Sequence, residues 1–320
     1  MLTRLAILVT ILVVCLLPAM ASPLLPYYLA GYQGSCCTNN RIDIVLPNNT
    51  VISTEDHGDA EHHAYTEALI AVFGAVRTTG GNYGYTGYEY DETTGAYMPG
   101  DVYTNGATYP NPDAPPPLLY GDGMTDGATN GATNYSVEWG SGRIYTFGPN
   151  WGSGVGHVLP DPNNPGYFLN INASLSSVAY DWKNHDPGYI WVLSTGGNLW
   201  HVNTGNWTVS GPTLLSADDL DHHGGFWQAN GLAMDIDGSF WFVDDWWVRS
   251  GDLFHYDPNA LPGHQMSITH IADLEGFVAY GGDIDLSGRG GAGGEEVPEP
   301  GTLGVMGLAL LALWGIRRRR

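Results

Sequence analysis

Lysine is almost missing from this 320-residue chain: Lys183 stands alone, and Lys and Arg together number 11 against 33 Asp and Glu. The formal net charge is −22. A surface so poor in cations offers no basic face for phosphate, so nucleic acid and anionic membrane surfaces are excluded as partners. Cations and neutral polymers remain. Cysteine is nearly as scarce, with three residues, and two of them, Cys36 and Cys37, are adjacent. Adjacent cysteines form at most a strained vicinal ring, so no disulfide scaffold holds the fold; a pair of small buried residues is the other reading. The sequence has no GxSxG, no phosphate loop, no dinucleotide fingerprint, no HExxH and no readable Ser-His-Asp order. Helical periodicity is sparse too. One stretch, Ala60 to Val76, carries Ala64, Ala68, Ala71 and Ala75 at a spacing that predicts a helix face.

Long apolar runs occur at the two ends. Arg4 precedes the run Leu5 to Leu17, which is followed by Pro18 and the small-x-small pattern Ala19-Met20-Ala21. This reads as a secretory signal peptide, residues 1–21, removed by signal peptidase. An uncleaved N-terminal membrane helix is the plainer alternative. A lipoprotein site at Cys15 is disfavoured because Val13 and Val14 replace the small residues it needs. At the other end, Val297-Pro298-Glu299-Pro300 is followed by an apolar run, Thr302 to Ile316, and then by Arg317, Arg318, Arg319 and Arg320. As a helix the run would span roughly 22 Å, short of a bilayer core of about 30 Å. A marginal span closed by arginines suits a temporary anchor with its stop-transfer charges in the cytoplasm.

Motif, apolar run and arginine cluster in that order resemble a PEP-CTERM sorting signal, the tail recognised by exosortase-type membrane proteases in bacteria. The resemblance covers residues 297–320. It implies export across the inner membrane, transient anchoring through a C-terminal transmembrane helix, and delivery to the cell surface or outside the cell. The mature protein then runs from Ser22 to about Pro298. Arg4 and the four terminal arginines leave with the signals, so 6 basic residues remain, against 32 acids once Glu299 is gone, for a mature charge of about −26. Such a charge favours solubility and opposes self-association.

Between the signals, aromatics are high at 12%, and Gly (45) and Pro (20) together imply many turns. An internal repeat organises this region. Gly142-Arg143-Ile144-Tyr145-Thr146-Phe147, Gly197-Asn198-Leu199-Trp200-His201-Val202 and Gly251-Asp252-Leu253-Phe254-His255-Tyr256 are copies of one another. Gly87-Tyr88-Glu89-Tyr90-Asp91 is a fainter copy, and Asn40-Arg41-Ile42-Asp43-Ile44 a fifth. The first four are spaced by 55, 55 and 54 residues, in chain order. Upstream of the clear copies lie Asn134 to Trp139; Ser177 to Trp182 with Tyr189 to Leu193; and Gly231 to Val243, where Asp235-Ile236-Asp237-Gly238 marks a hairpin. Gly282-Asp283-Ile284-Asp285-Leu286 starts one more unit without its remainder, and pairing with N-terminal strands would close a ring.

Each repeat is one small antiparallel sheet that cannot cover its own faces, and radial stacking solves that. The strand pair resembles that of secreted β-propellers, which implies an all-β propeller over residues 22–287, of five to seven blades with a period near 54. A β-sandwich is the alternative fold. Tyr109 to Asn134 and Pro160 to Gly166 read as loops, and residues 288–296 as a flexible Gly-rich stalk.

Candidate chemistry is thin. His57, Asp59, Glu61, His62 and His63 form one His/acid cluster; Asp218, Asp219, Asp221, His222 and His223 form another. Imidazole with carboxylate suits zinc, although adjacent loop histidines more often face solvent. Asp235, Asp237, Asp244 and Asp245 offer oxygen ligands for Ca2+, against the plainer role of Asp in a hairpin turn. Asn230-Gly231-Leu232-Ala233 followed by Asp244 or Asp245 resembles the divalent-metal site of gluconolactonase-type propellers. That resemblance is one blade long; it would make Asn230 and Asp244 or Asp245 metal ligands of a hydrolase or lactonase, while Asp221 and His222 are metal candidates from the second His/acid cluster. The crowded rings Trp227, Trp241, Trp246 and Trp247, and Tyr83, Tyr85, Tyr88 and Tyr90, suit either sugar stacking or packing between blades. The preferred reading is a non-catalytic surface or extracellular-matrix protein that binds polysaccharide or serves as a structural part. The metal-dependent enzyme is the alternative.

Overall fold

The computed structural model describes residues 22–33, 40–55, 68–72, 75–79, 86–91, 93–94, 96, 103–104, 124–138, 143–148, 154–169, 175–184, 188–215, 229–244 and 251–286. Strands account for nearly all regular structure among them. In chain order these are β1 (Tyr27–Gln33), β2 (Asn40–Val45) and β3 (Val51–Glu55). Then come β4 (Ala68–Val72), β5 (Ala75–Thr79), β6 (Thr86–Asp91) and β7 (Tyr103–Thr104). The third group is β8 (Met124–Thr129), β9 (Asn134–Glu138), β10 (Ile144–Phe147) and β11 (Val155–His157). The fourth is β12 (Leu175–Tyr180), β13 (Tyr189–Ser194), β14 (Asn198–Asn203) and β15 (Val209–Leu214). The fifth is β16 (Ala229–Met234), β17 (Phe240–Asp244), β18 (Asp252–Tyr256) and β19 (Met266–His270), and β20 (Phe277–Ile284) follows.

Four groups, β4–β7, β8–β11, β12–β15 and β16–β19, each form a four-stranded antiparallel sheet. The remaining sheet, first in chain order, is composite, in the order β20-β1-β2-β3. β20 pairs antiparallel with β1 from Tyr27↔Ile284 to Gln33↔Phe277, with a bulge at Ala30/Gly31. The unit that stopped short near Asp283 is therefore completed by the N-terminal strands. The innermost strands pack in a cycle: β4 on β8, β8 on β12, β12 on β16, β16 on β20, and β20 on β4. This is the β-propeller arrangement.

The five repeat copies fall on β2, β6, β10, β14 and β18, which occupy the same third position in their sheets. The two inner strands β12 and β16 are buried along their whole length. Outer strand β15, with Pro212 on it, is exposed from Ser210 on, as suits an edge strand that includes a proline.

Apolar clusters lie between neighbouring sheets. Tyr28, Ile42, Ile44, Leu69 and Val76 join the first two sheets. Tyr135, Ile144, Val178, Ile190 and Trp200 join the third and fourth. Leu193, Leu232, Phe240, Phe242 and Phe254 join the fourth and fifth in chain order, and Leu29, Trp241, Leu253 and Ile284 join the fifth to the composite first. Burial of apolar surface between sheets is what a lone sheet of this size lacks.

Two expectations fail. The helix expected over Ala60 to Val76 is absent from its described part: Ala68–Val72 and Ala75–Thr79 are paired strands. Leu69, Ile70, Ala71 and Val76 are fully buried. A strand covered on both faces needs an unbroken apolar run, and such a run mimics a helix face when alanines fall four apart. The loop expected over Tyr109 to Asn134 likewise contains β8. Pro160 to Gly166 does form a turn, closed by the Pro160↔Phe168 bridge.

Candidate functional site

The innermost strands carry bulges at Thr125/Gly127 in β8, Leu175/Ser177 in β12 and Asn230/Ala233 in β16. The innermost strand of each sheet also has one edge without a ladder partner, whose N–H groups need other acceptors, and one carboxylate accepts several of them. Asp126, on β8 with φ 53°, is fully buried. Its Oδ1 accepts the N–H of Gly127 (2.9 Å) and of Gly282 on β20 (2.8 Å). Its Oδ2 accepts those of Val178 on β12 and Leu232 on β16, both at 3.0 Å. Asp283 extends the tie: Oδ2 accepts Ala71 N–H of β4 at 2.9 Å, while Oδ1 accepts Ile284 N–H at 2.9 Å. Two carboxylates thus bind all five innermost strands together.

Tyr27 donates its hydroxyl to the Gly231 carbonyl. Glycine is required at the closest approaches: a Cβ on Gly127 would meet the Leu69 carbonyl at 2.4 Å, and one on Gly282 the Gly231 carbonyl at 2.7 Å. Burial pushes the Asp126 and Asp283 carboxyls well above the usual carboxylate range, and the backbone donors pull both back. Burial, with the two nearby carboxylates, pushes the Tyr27 phenol up. Four N–H donors are accepted in full only by an ionised carboxylate. With two donors on each oxygen, Asp126 acts as a structural tie.

A second arrangement repeats at the ends of β12 and β16. Asp181 accepts hydrogen bonds from His201 Nε2 (2.8 Å), Asn184 Nδ2 (2.9 Å) and Trp191 Nε1 (3.1 Å). Asp235 accepts Trp241 Nε1 (3.0 Å) and Leu24 N–H (2.8 Å). His201 stacks on Trp191 at 4.2 Å, and His255 on Trp241 at 4.3 Å. Burial raises both carboxyls. For Asp181 the His201 and Asn184 bonds outweigh it and hold the carboxyl below its ordinary value; for Asp235 burial prevails. The Asp-x-Asp-Gly turn is closed by its own backbone, with Asp237 Oδ1 accepting Ser239 N–H and Asp235 Oδ1 accepting Ile236 N–H.

Of the residues singled out in sequence, Asn230 is fully buried on β16 and its amide donates to the Ala279 carbonyl at 3.2 Å. Asp244 ends β17, with its backbone across from Ala229. Asp245, Asp221 and His222 lie outside the described residues, as do the rest of both His/acid clusters and Cys36 and Cys37. Trp241 is buried, and Trp227, Trp246 and Trp247 are outside the described residues. Among the described residues no group of three or more His, Cys, Asp or Glu is placed to hold a metal ion.

Asp126 escaped the sequence reading because it sits in a Gly/Thr/Asn run. The repeat held a signal for it. Ser177 precedes Gly197 by 20 residues and Gly231 precedes Gly251 by 20, so a first strand was due near Asp122 ahead of Gly142. β8 begins at Met124.

The C-terminal segment, residues 296–320, matches the family described as PEP-CTERM protein-sorting motif. The chain carries a PEP-CTERM sorting signal. This signal implies export and sorting to the cell surface, with an exosortase as processing partner. Among the described residues no helix is long and apolar enough to cross a membrane, and Thr302 to Ile316 lie outside them. No curated protein matches the PEP-CTERM chain in sequence.

Solved structures resemble it distantly. A streptogramin B lyase is 12% identical, with 79% of this chain and 71% of that one covered, at a TM-score of 0.38. A chain of a nidogen/laminin complex is 12% identical over 81% and 98%, at 0.44. A structural genomics protein of unknown function from Bacteroides thetaiotaomicron is 14% identical over 83% and 65%, at 0.43. At such scores nothing of these proteins transfers, and the propeller assignment rests on the sheet order.

Proposed function

We propose that the mature protein is a non-catalytic propeller of the cell surface or extracellular polymer layer, which binds polymer there or serves as a structural part. The observation that carries this reading is the state of the axial acids: Asp126 and Asp283 are buried and committed to backbone N–H groups. The delivery route fits, with residues 1–21 removed by signal peptidase and residues 297–320 held transiently in the membrane until processed. Cell fractionation of the host tests delivery. The full chain should reach the surface or medium, and a chain ending at Glu296 should change fraction; identical distribution of the two would sink the sorting part.

A second reading keeps the lactonase-type hydrolase, with Asn230, Asp244, Asp245, Asp221 and His222 as ligands to Ca2+ or another divalent ion. The observation in its favour is the register that pairs Ala229 with Asp244 and Asn230 with Val243 on adjacent rungs. Elemental analysis, with melting before and after a chelator, separates the two. Stoichiometric metal and a lower Tm after chelation would favour the enzyme, because a bound ion stabilises by its binding free energy. No metal and an unchanged melt would leave the binder.

A further inference from the structure

Six large hydrophobic residues are conspicuously exposed among the described residues, and four of them, Val155, Val158, Tyr167 and Phe168, lie within 14 positions along β11 and the segment after it. Tyr167 is 63% exposed and Phe168 47%. Tyr167 and Phe168 belong to the hairpin that follows β11. It is well built: Leu169 N–H donates to the Leu159 carbonyl at 2.8 Å, Asp161 N–H to Tyr167 at 2.9 Å, and Tyr167 N–H to Asn164 at 3.0 Å. The Asp161 carboxylate closes the turn by accepting Asn163 N–H and Asn164 Nδ2. Leu159 and Leu169 root the hairpin in the cluster between the third and fourth sheets. The two rings are therefore presented on a fixed support, whereas buried Trp241 and half-buried Trp191 and Trp207 are taken up in stacks with histidines.

We propose that the hairpin Leu159 to Leu169, with Val155 and Val158 beside it, is a binding site for a neutral polysaccharide. The proposal rests on the binder reading above and names its surface. Three observations choose the occupant. Residues 154–169 hold one acid, Asp161, engaged in its own turn, and no Lys or Arg, so nothing there selects a charged ligand. Exposed ring faces pack against the C–H faces of sugars, and Asn163 and Asn164, both exposed, supply amide chemistry for hydroxyls. The patch is also small: a specific protein–protein interface takes about 20–30 residues a side, and a net charge of −22 opposes a second copy of the chain.

Affinity electrophoresis of the full chain in mild detergent tests this, in gels holding a soluble neutral β-glucan, a neutral galactomannan or anionic alginate. The expected result is retardation in at least one neutral gel, weakened about tenfold in Tyr167→Ala/Phe168→Ala at unchanged Tm. Leu261→Ala, at an exposed site elsewhere, should leave it unchanged. Equal retardation of the double variant would overturn the site while leaving polymer binding standing. Retardation in alginate alone would overturn the neutral ligand. No retardation in any gel would overturn site and polymer binding together. A sedimenting oligomer of the wild type that the double variant dissolves would assign the hairpin to contact between copies, also against the proposal. Tyr167→Trp keeps the test open if the double variant misfolds: its fluorescence should shift with the retarding polymer, and a flat titration counts against the site.

Discussion

Asp126 shows how one buried acid can be a joint. Three of its four donors belong to three other innermost strands, and a side chain with fewer acceptor pairs cannot serve all four. Asp126→Asn turns an NH2 group toward two N–H donors, so it should cost about 3–5 kcal/mol, the range for breaking a buried, fully paired charge. Urea unfolding with an unchanged m-value is the check; a loss below about 0.5 kcal/mol would contradict the joint. His255 gives a pH test. Burial holds its imidazole below the usual value, against the charges of Asp237 and Asp257. The unfolded state then takes the proton first, so the contribution is intact above about pH 6.5 and is lost as pH falls toward the folded value. His270 has the opposite sign: Asp252 and Glu275 raise it, so its contribution is present below that pH and lost as pH rises through its folded value. His255→Gln should therefore flatten the fall in Tm between about pH 7.5 and 5.5; an unchanged slope would clear His255 of the effect.

At the scale of elements, the closest approaches between innermost strands run through glycine. Gly127→Ala places a methyl against the Leu69 carbonyl, where a Cβ would stand at 2.4 Å, and forces β8 off β4. A loss of about 1–3 kcal/mol is expected from such overpacking, read by thermal melting; a melt equal to wild type would mean the strands yield freely. β20 is the element on which closure depends, since it covers β1 in the ladder and brings both Gly282 and Asp283 to the ties. A chain ending at Ser287 should melt cooperatively. One ending at Gly276 should lose the cooperative transition and become protease-sensitive, and a sharp melt in that shorter chain would refute closure by β20. The element boundaries show what sequence could and could not reveal. The third strands were legible because Gly, an alternating apolar pattern and a polar turn recur together. β4 reads as helix because a strand buried on both faces carries no period of two, and β8 reads as loop because it lies in a Gly/Thr/Asn run.

For the whole molecule, charge is the dominant surface property. With −22 formal charges, compaction works against self-repulsion. Raising KCl from about 10 to 500 mM shortens the Debye length severalfold and should raise Tm; a Tm that falls or stays flat would show that the repulsion is already relieved. The sorting signal and the acidic composition belong to the chain as a string of residues. The one is read by a processing protease and the other by the solvent, which sense local order and total charge, so the sequence alone determined sorting, the all-β class and the repeat. The axial ties were a different matter. Three of the four donors to Asp126 lie 52, 106 and 156 residues away, and no local pattern marks which acid they will meet. The contact of Asn230 is equally non-local, since its amide donates to the Ala279 carbonyl 49 residues away. Only closing the ring brings those N–H groups to one point, and only that closure decides which acids are consumed inside and which rings, Tyr167 and Phe168 among them, are left facing water.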